Sequence, residues 1–304
     1  MAKQTTQTNE SGISPIGIIL ALVLCGIFGG DQVSRKVALT EFTPLFCGSL
    51  AFSLASIILF VYARIKSIKL QPPARAVWRL HSISAILFVL LNVTALPALR
   101  LTLASRASVF IATYPFLIAI FNSFGSRGER INIGKFTGLS LAFAGVLIVF
   151  SDRLNVQGET TWIGDSLMLL SATLLSIMVL HLRTVNRRVS AIQATFWQLS
   201  LSLPIFWLLT LVFESPLTIP HFSRSWLGVI YQGVAVNAIA FVLRAELFHR
   251  YSATTVSAFF FITPVIGLAL SHVFLGELLN GSVVLGGAIV SMGVFLVYRF
   301  TSDQ

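Results

Sequence analysis

The chain has 304 residues, of which 56% are hydrophobic and only 11% are charged, and its formal net charge is +10. Soluble domains usually carry about twice this share of charged residues, and several apolar runs reach the roughly 20 residues that cross a bilayer. This composition excludes a soluble enzyme with a single anchor and predicts an all-α, polytopic membrane protein. The basic residues lie in short loops between apolar runs, where they set topology, so we expect no nucleic-acid partner.

A polar tail at residues 1–15 precedes ten predicted transmembrane helices. The first apolar run is predicted to be a retained helix and not a signal peptide, because Leu24 stands before Cys25, where lipoprotein cleavage needs a small residue. The two cysteines lie within apolar runs without metal-binding spacing, so we expect no metal and no other cofactor. The predicted spans are 14–35, 44–63, 78–99, 103–125, 132–150, 162–183, 191–213, 226–248, 254–275 and 281–299.

The stretch 104–150 recurs in the second half of the chain, starting at residue 253. Pro115 matches Pro264 at an offset of 149 residues, and four later landmarks agree at an offset of 148. A repeat of about half the chain predicts two five-helix units, residues 16–150 and 162–299. The four later pairs are Glu129 with Glu277, Asn132 with Asn280, Gly138 with Gly286, and Gly145 with Gly293.

The distribution of Lys and Arg predicts the orientation. With a cytoplasmic N-terminus, the inner loops hold 14 of these residues and the outer loops hold 6, with the intrahelical Arg244 left out. Cytoplasmic loops carry the excess of basic residues, so both termini are predicted to be cytoplasmic. Five helices is an odd number, so the second unit enters the membrane upside down. A 5+5 inverted repeat of this kind is typical of alternating-access transporters.

Several small residues recur in the same order around a proline and a Gly-Glu pair in both halves. A weaker signal is Gly164-Asp165 at the start of the sixth predicted helix. These motifs resemble the EamA family of the drug/metabolite transporter superfamily over residues 16–299. The paired motifs are Ser105, Ala107, Pro115, Gly128, Glu129, Gly138 and Gly145 in the first half, and Thr254, Ser257, Pro264, Gly276, Glu277, Gly286 and Gly293 in the second.

The resemblance implies a central cavity formed by helices 1–4 and 6–9, with helices 5 and 10 as peripheral supports. It also implies transport of small organic metabolites, commonly amino acids and often outward, across the inner membrane. Two positions depart from the family pattern. Phe28-Gly29 stands where the family often has Trp-Gly, and Leu50 or Ala51 stands where it often has Arg.

Asp31 and Gln32 come late in the first predicted helix. A carboxylate in the middle of a bilayer costs about 2.5 kcal/mol or more, so it needs a partner, water or a function. Asp31 could face the cavity and bind a substrate amine or a proton. Alternatively, it could pair at the membrane interface with Arg35, one helical turn later.

Arg244 and Glu246 lie about one turn inside the end of the eighth predicted helix. Arg244 could bind a substrate carboxylate in the cavity. The alternative is that Arg244 extends to the cytoplasmic surface while Glu246 pairs with Arg250 four residues later. The sequence does not decide between these two positions of the Arg244 side chain.

Uncharged polar and aromatic residues within the helices are further candidates for substrate binding. Polar side chains there bind ligand or join helices by hydrogen bonds, and aromatic ones stack on ligand or fill space. These candidates are Asn92, Gln198 and Asn237 among the polar residues, and Tyr114, Trp197 and Tyr231 among the aromatic ones.

Pro115 and Pro264 are each predicted to lie within a helix and to kink it, which makes them candidate hinges. The paired Glu129 and Glu277 are predicted to be structural, since each precedes an Asn that can cap the next helix. His181 and His272 lie near helix ends and are predicted to be packed or interfacial.

Gly134, Gly138 and Ala142 form a stripe of small residues at spacing four on helix 5, and Ser282 and Gly286 begin a similar stripe on helix 10. Such stripes allow close helix packing. The packing could be within one chain or between two, so a monomer and a homodimer both stay open.

The function predicted from these features is secondary transport of a small metabolite, with export favoured over import. A nucleotide-binding loop of the Walker type is absent from the sequence, so drive must come from the substrate gradient, a proton or exchange. An intramembrane enzyme would need convergent ionisable residues, whereas here the acids are few and the histidines scattered. A receptor or assembly protein would need a long extramembrane surface, and the stretches between the predicted helices are too short to provide one.

Overall fold

The computed structural model describes residues 13–70, 75–101, 110–111, 113–123, 132–154, 162–215, 219, 221, 223–275 and 281–302. These residues form helices joined by turns, and within the described ranges there is no β-strand. Six of the helices are long and apolar enough to cross a membrane, and shorter apolar helices accompany them. A helix satisfies its own backbone hydrogen bonds in lipid. The prediction of an all-α, polytopic membrane protein is therefore confirmed.

The helices begin where the sequence supplies caps and prolines. Ser14 caps the first helix by accepting a hydrogen bond from the backbone of Gly17, and prolines occupy the first positions of the first two helices. In chain order the helices are α1 (Pro15–Ala38), α2 (Pro44–Ile65), α3 (Arg75–Leu101), α4 (Tyr114–Ser123), α5 (Ile133–Leu154), α6 (Trp162–Asn186), α7 (Ala191–Phe213), α8 (Arg224–Tyr231), a π-helix (Gln232–Ala240), α9 (Phe241–Arg250), α10 (Ala253–Phe259), α11 (Ile262–Leu275) and α12 (Gly281–Ser302).

The ninth predicted helix is interrupted. α10 ends at Phe259, and α11 begins at Ile262, so Pro264 lies in the first turn of a new helix. Pro115 is likewise the second residue of α4, after a turn at Thr113. The expected mid-helix position of these prolines is therefore wrong, since each lies in the first turn of a helix that begins after an interruption. A proline lacks the N–H that a helix interior requires, and the first turn is where this loss is tolerated.

The eighth predicted helix is one span, Arg224–Arg250, but its middle nine residues form a π-helix. The side-chain amide of Asn237 donates a 2.7 Å hydrogen bond to the carbonyl of Gln232, five residues earlier. Wide turns of this kind are frequent at functional sites. This one lies directly before α9, which carries Arg244.

α5 and α12 pack closely through glycines. A Cβ atom at Gly138 would lie 2.8 Å from the carbonyl oxygen of Gly293, and one at Gly145 would lie 2.7 Å from that of Gly286. The residue numbers rise along one helix as they fall along the other, so the helices are antiparallel. The contacts also exchange under the offset of 148 found in the sequence. The small-residue stripes therefore pack against each other within one chain.

α2 and α7 form a second antiparallel pair. Hydroxyl groups join them at Ser49 with Thr210, 2.9 Å apart, and nearer the other end at Ser56 with Ser200. Glu214, just beyond α7, accepts hydrogen bonds from the Thr43 hydroxyl and from the first backbone N–H groups of α2. This carboxylate caps α2 from the other half of the chain.

Candidate functional site

Arg244 is buried in the bundle, with only 6% of its surface exposed. Its guanidinium lies over the ring of Phe241 at 4.4 Å and over that of Phe28 at 6.0 Å. Its buried Nε has no hydrogen-bond partner among the described residues. The alternative in which Arg244 reaches the cytoplasmic surface is therefore wrong. Long side chains on a helix point back toward its N-terminus, which for α9 is the interior of the span.

The predicted pairing of Glu246 with Arg250 is confirmed. Glu246 and Arg250 form an ion pair of 2.6 Å at the end of α9, with both side chains well exposed. Arg244 therefore keeps its charge apart from the nearest acidic side chain on its own helix. A buried cation without a carboxylate is costly unless a ligand or water completes it.

Aromatic rings from both halves of the chain surround Arg244. Phe28 of α1 contacts Phe241 at 6.4 Å and Phe260 at 5.8 Å between ring centroids. The ring of Tyr114, at the start of α4, lies 5.8 Å from that of Phe260. We call these five residues the Arg244 cluster. It combines one cation with apolar walls.

Asp31 lies one turn beyond Phe28 on α1 and is 7% exposed. Its carboxylate forms an ion pair of 3.1 Å with Arg35, as one of the two sequence-based readings expected. Asp31 is buried more deeply than an interfacial position implies. The side-chain amide of Gln232, in the π-helix, donates to the Asp31 backbone carbonyl at 3.5 Å. The Nε of Arg35 lacks a hydrogen-bond partner among the described residues.

A small cavity of about 20 Å³ lies beside this ion pair, with Arg35, Phe52, Asn92 and Gln232 in its wall. Within the wall, the amide of Asn92 donates to the carbonyl of Phe88, one turn earlier on α3. A volume of this size holds about one water molecule. The cavity therefore continues the Asp31 region with polar groups from α1, α3 and the π-helix.

Tyr231 is positioned against the same part of α1. Its hydroxyl donates a 3.1 Å hydrogen bond to the carbonyl of Ile27, and a Cβ atom at Gly30 would overlap its phenolic oxygen. The glycine therefore provides the space that this ring occupies. Asn237 is instead committed to the π-helix by its bond to Gln232.

Trp197 lies against a different set of residues. Its indole N–H donates to the carbonyl of Leu70, and its ring lies 4.4 Å from that of Trp78. Gln193 also donates to the Leu70 carbonyl, so both residues fix the segment that follows α2. The neighbouring Gln198 is buried, and its amide nitrogen has no partner in the described part of the chain.

Several residues that the sequence identified lie outside the described part of the chain. Glu129 and Glu277 lie outside the described residues, and so do the side chains of Gln32, Pro264 and His272. His181 is described, and a ring nitrogen lies 3.0 Å from the carbonyl of Leu80.

The sequence reasoning missed Phe241 and Gln232, and it noted Phe28 only as a departure from a motif. The position of Phe28, three residues before Asp31 on the same helix, was the available signal. Phe241 precedes Arg244 by the same spacing, which places it on the same helix face.

Comparison with known proteins gives a consistent result. A family model described as the EamA-like transporter family matches residues 15–151 and again residues 162–299. A probable amino-acid metabolite efflux pump of Escherichia coli (strain K12) is 24% identical over 287 residues, which cover 91% of this chain and 93% of that protein. An S-adenosylmethionine/S-adenosylhomocysteine transporter of Chlamydia muridarum is 23% identical, with 94% and 93% covered.

A solved crystal structure also superposes on the chain. Its TM-score is 0.81 at 17% sequence identity, and the match covers 95% of this chain and 98% of the other. At this identity the likeness shows the fold alone.

Proposed function

The chain belongs to the EamA-like transporter family, and we propose that it exports amino acids or related metabolites that carry a carboxylate and an apolar side chain. The observation that carries this proposal is the Arg244 cluster. A guanidinium is suited to a carboxylate because its fixed N–H groups match the two oxygens. The guanidinium lies over the rings of Phe28 and Phe241, and these rings would hold an apolar side chain. Two relatives described as probable amino-acid metabolite efflux pumps support this substrate class and direction.

Asp31 is proposed to receive the substrate amine. It lies three residues, or about 4.5 Å along the axis, from Phe28 on α1. Its present partner, Arg35, is an ion-pair partner that an ammonium group can replace. Tyr231, Gln198, Asn92 and the amide of Gln32 are proposed to complete the polar side of the site.

The architecture we propose is a 5+5 inverted repeat, with units at residues 16–150 and 162–299. The antiparallel pairs α2 with α7 and α5 with α12 support it, because the α5–α12 contacts exchange under the sequence offset of 148. We place both termini in the cytoplasm, from the excess of Lys and Arg in the predicted inner loops. We place the protein in the inner membrane, where its bacterial relatives are expected to act.

Transport would proceed by alternating access. The halves contact each other at both ends of the α2–α7 pair, through Glu214 at one end and through Leu70 at the other. Either set of contacts must open for substrate to reach Arg244. Substrate shifts the balance only through its different affinity for the two open states.

The interruptions before Pro115 and Pro264 are proposed as paired hinges of this motion. Pro264 follows the turn that joins α10 to α11, and Pro115 follows a turn at Thr113. Full transport rates in both Pro115→Ala and Pro264→Ala would reject this role.

The test compares the growth medium of cells with and without the protein, by mass spectrometry of amino acids and related metabolites. We expect one class to accumulate outside only with the active protein. Arg244→Gln and Asp31→Asn should each abolish that accumulation at equal membrane abundance. Arg250→Gln is the matched control, since Arg250 is exposed and paired, and it should retain export.

Three results would contradict the proposal. Depletion of a compound from the medium would make the protein an importer. Full export by Arg244→Gln would remove the guanidinium from the site. Loss of export in Arg250→Gln would assign the effect to folding of α9 and not to the buried charge.

A further inference from the structure

A second buried polar group lies on α3, near its predicted cytoplasmic end. His81 is fully buried, at 0% exposure, and neither Nδ1 nor Nε2 has a hydrogen-bond partner among the described residues. Ser84, one turn further along α3, is 2% exposed, and its hydroxyl is also unpartnered there. Two neighbouring side chains on one helix face therefore present polar atoms to an interior that does not satisfy them.

This arrangement is unfavourable as packing. A neutral imidazole always carries one N–H donor and one acceptor nitrogen. Leaving both unmet in a buried site costs free energy that an apolar residue of similar shape would not. Buried unsatisfied groups in a folded protein call for an explanation such as a missing water, ion or functional role. His81 therefore points to a ligand that enters when the surrounding helices separate.

The titratable groups around His81 bear on what that ligand can be. α3 packs mainly against α6 and α7, and α7 contains no titratable residue. From α6, a ring nitrogen of His181 lies 3.0 Å from the carbonyl of Leu80, the residue before His81. Asp165 lies near the opposite end of that helix, and Arg183 has its own interactions. On α3 itself, Arg75 and Arg79 are exposed near its N-terminus.

These neighbours carry no acidic group close to His81 along either helix, so the closed bundle opposes a charged ring there. Water admitted by an opening of the inner end would remove that opposition. The ring of Trp197, which holds Leu70 at the inner end, lies 6.3 Å from the His81 ring. The contact that closes this end and the histidine are therefore neighbours.

We propose that His81 is a proton-binding site, loaded from cytoplasmic water when the inner end opens and emptied before α3, α6 and α7 close again. Only a proton moves, from water to a ring nitrogen and back. An acidic cytoplasm then holds the inner end open, and transport depends on cytoplasmic pH through this residue. The dependence of transport rests on the proposed function, whereas proton binding does not.

The first test needs no substrate. Tryptophan fluorescence of the purified full chain is followed from pH 7.5 to pH 4.5. This range extends well below the ordinary histidine pKa of about 6.5, because the closed bundle opposes a charged ring at this position. Protonated imidazole quenches a nearby indole, so we expect an acid-induced loss of emission in the wild type. His81→Gln should lose this step, and His249→Gln, which alters an exposed histidine at the end of α9, should keep it. A step that is absent from the wild type, or unchanged in His81→Gln, overturns the proposal.

The second test measures transport. Inside-out membrane vesicles present the cytoplasmic face to the buffer, and labelled L-phenylalanine is the probe because it carries a carboxylate and an apolar ring. The rate should change several-fold between pH 7.5 and pH 5.5 in the wild type and stay flat in His81→Gln. An unchanged pH profile in His81→Gln contradicts the role in transport.

The two tests separate the possible failures. If phenylalanine is not carried at all, the substrate proposal fails while the fluorescence result still decides proton binding. His81→Leu tests whether loss of the histidine itself disturbs folding. An apolar residue removes the unmet polar groups, so this variant should melt no lower than the wild type. A markedly lower melting temperature for His81→Leu would show that the imidazole has partners and would overturn the site.

Discussion

Adding one methyl group between α5 and α12 should separate the two helices. In Gly145→Ala, the new Cβ would lie 2.7 Å from both the carbonyl oxygen of Gly286 and the backbone nitrogen of Val290. Ordinary contact begins at 3.4 Å, so the shortfall is 0.7 Å. Both obstructing atoms belong to the backbone, which cannot rotate away. The helices must therefore move apart by roughly that distance.

The expected change in the stability of Gly145→Ala follows from two opposing effects. Alanine is favoured over glycine within a helix by about 1 kcal/mol. Overpacking a close contact costs about 1–3 kcal/mol, and a gap of about 0.5–1 Å forfeits a quarter to a half of the dispersion attraction along the interface. Gly26→Ala is the matched control, because a Cβ at Gly26 of α1 meets nothing within 4 Å. The difference between the two variants isolates the overpacking cost.

The assay is thermal unfolding in detergent, followed by loss of the monodisperse peak. We expect Gly145→Ala to melt several degrees below Gly26→Ala. Gly293→Ala should match Gly145→Ala, since its Cβ would lie 2.6 Å from the Gly138 carbonyl oxygen, the equivalent atom under the offset of 148. Equal melting of all three variants would refute the close packing. A lower melting temperature in only one of Gly145→Ala and Gly293→Ala would refute the equivalence of the halves.

Three further predictions concern hydrogen bonds made by individual side chains. Glu214→Gln weakens the cap of α2 and should lower stability by about 1 kcal/mol, measured as a lower melting temperature. Hydrogen bonds from two serines at the start of α8 hold the pKa of Glu41, in the loop after α1, below its usual 4.5. Their contribution is present above pH 4.5 and is lost as the pH falls through the lowered value, so Glu41→Gln should melt with a weaker dependence on acid pH than the wild type. Asn237→Ala leaves the Gln232 carbonyl without its side-chain donor and should lower the free energy of unfolding by about 1–3 kcal/mol. Asn92→Ala changes a half-buried site, so its melting temperature should fall less than that of Asn237→Ala.

Helix positions could be predicted well from the sequence where the signal is local. The seventh helix was predicted at 191–213 and is observed at Ala191–Phe213. Its start depends on the Ser190 cap and its length on an apolar run, and both can be read directly. The break at Phe260–Phe261 and the π-helix could not be predicted in this way. Their residues are as apolar as those of a continuous helix, and the deviations depend on contacts with other helices.

The candidate site could be predicted only in part, for a similar reason. The sequence identified Asp31 and Arg244 because a charge within an apolar run is visible without a structure. It left open where their side chains point. Arg244 lies close to the end of its helix by residue count, and the choice between the surface and the interior depends on the direction of the side chain and on space beside Phe28. His81 was missed because a histidine within an apolar run looks like ordinary packing until its partners are known.

The two antiparallel pairs have a consequence for how the molecule can move. If the inward-open and outward-open forms differ by an exchange of roles between the halves, each helix of one half takes the place of its counterpart in the other. In the proposed inverted repeat, α2 with α7, and α5 with α12, are each a helix and its own counterpart, so such an exchange keeps each pair together and swaps its two ends. The pairs therefore persist in both forms, while the contacts beyond the ends of α2 and α7, at Glu214 and at Leu70, would open in turn. The other helices change partners in the exchange, and they are the ones that carry Arg244, Asp31 and His81.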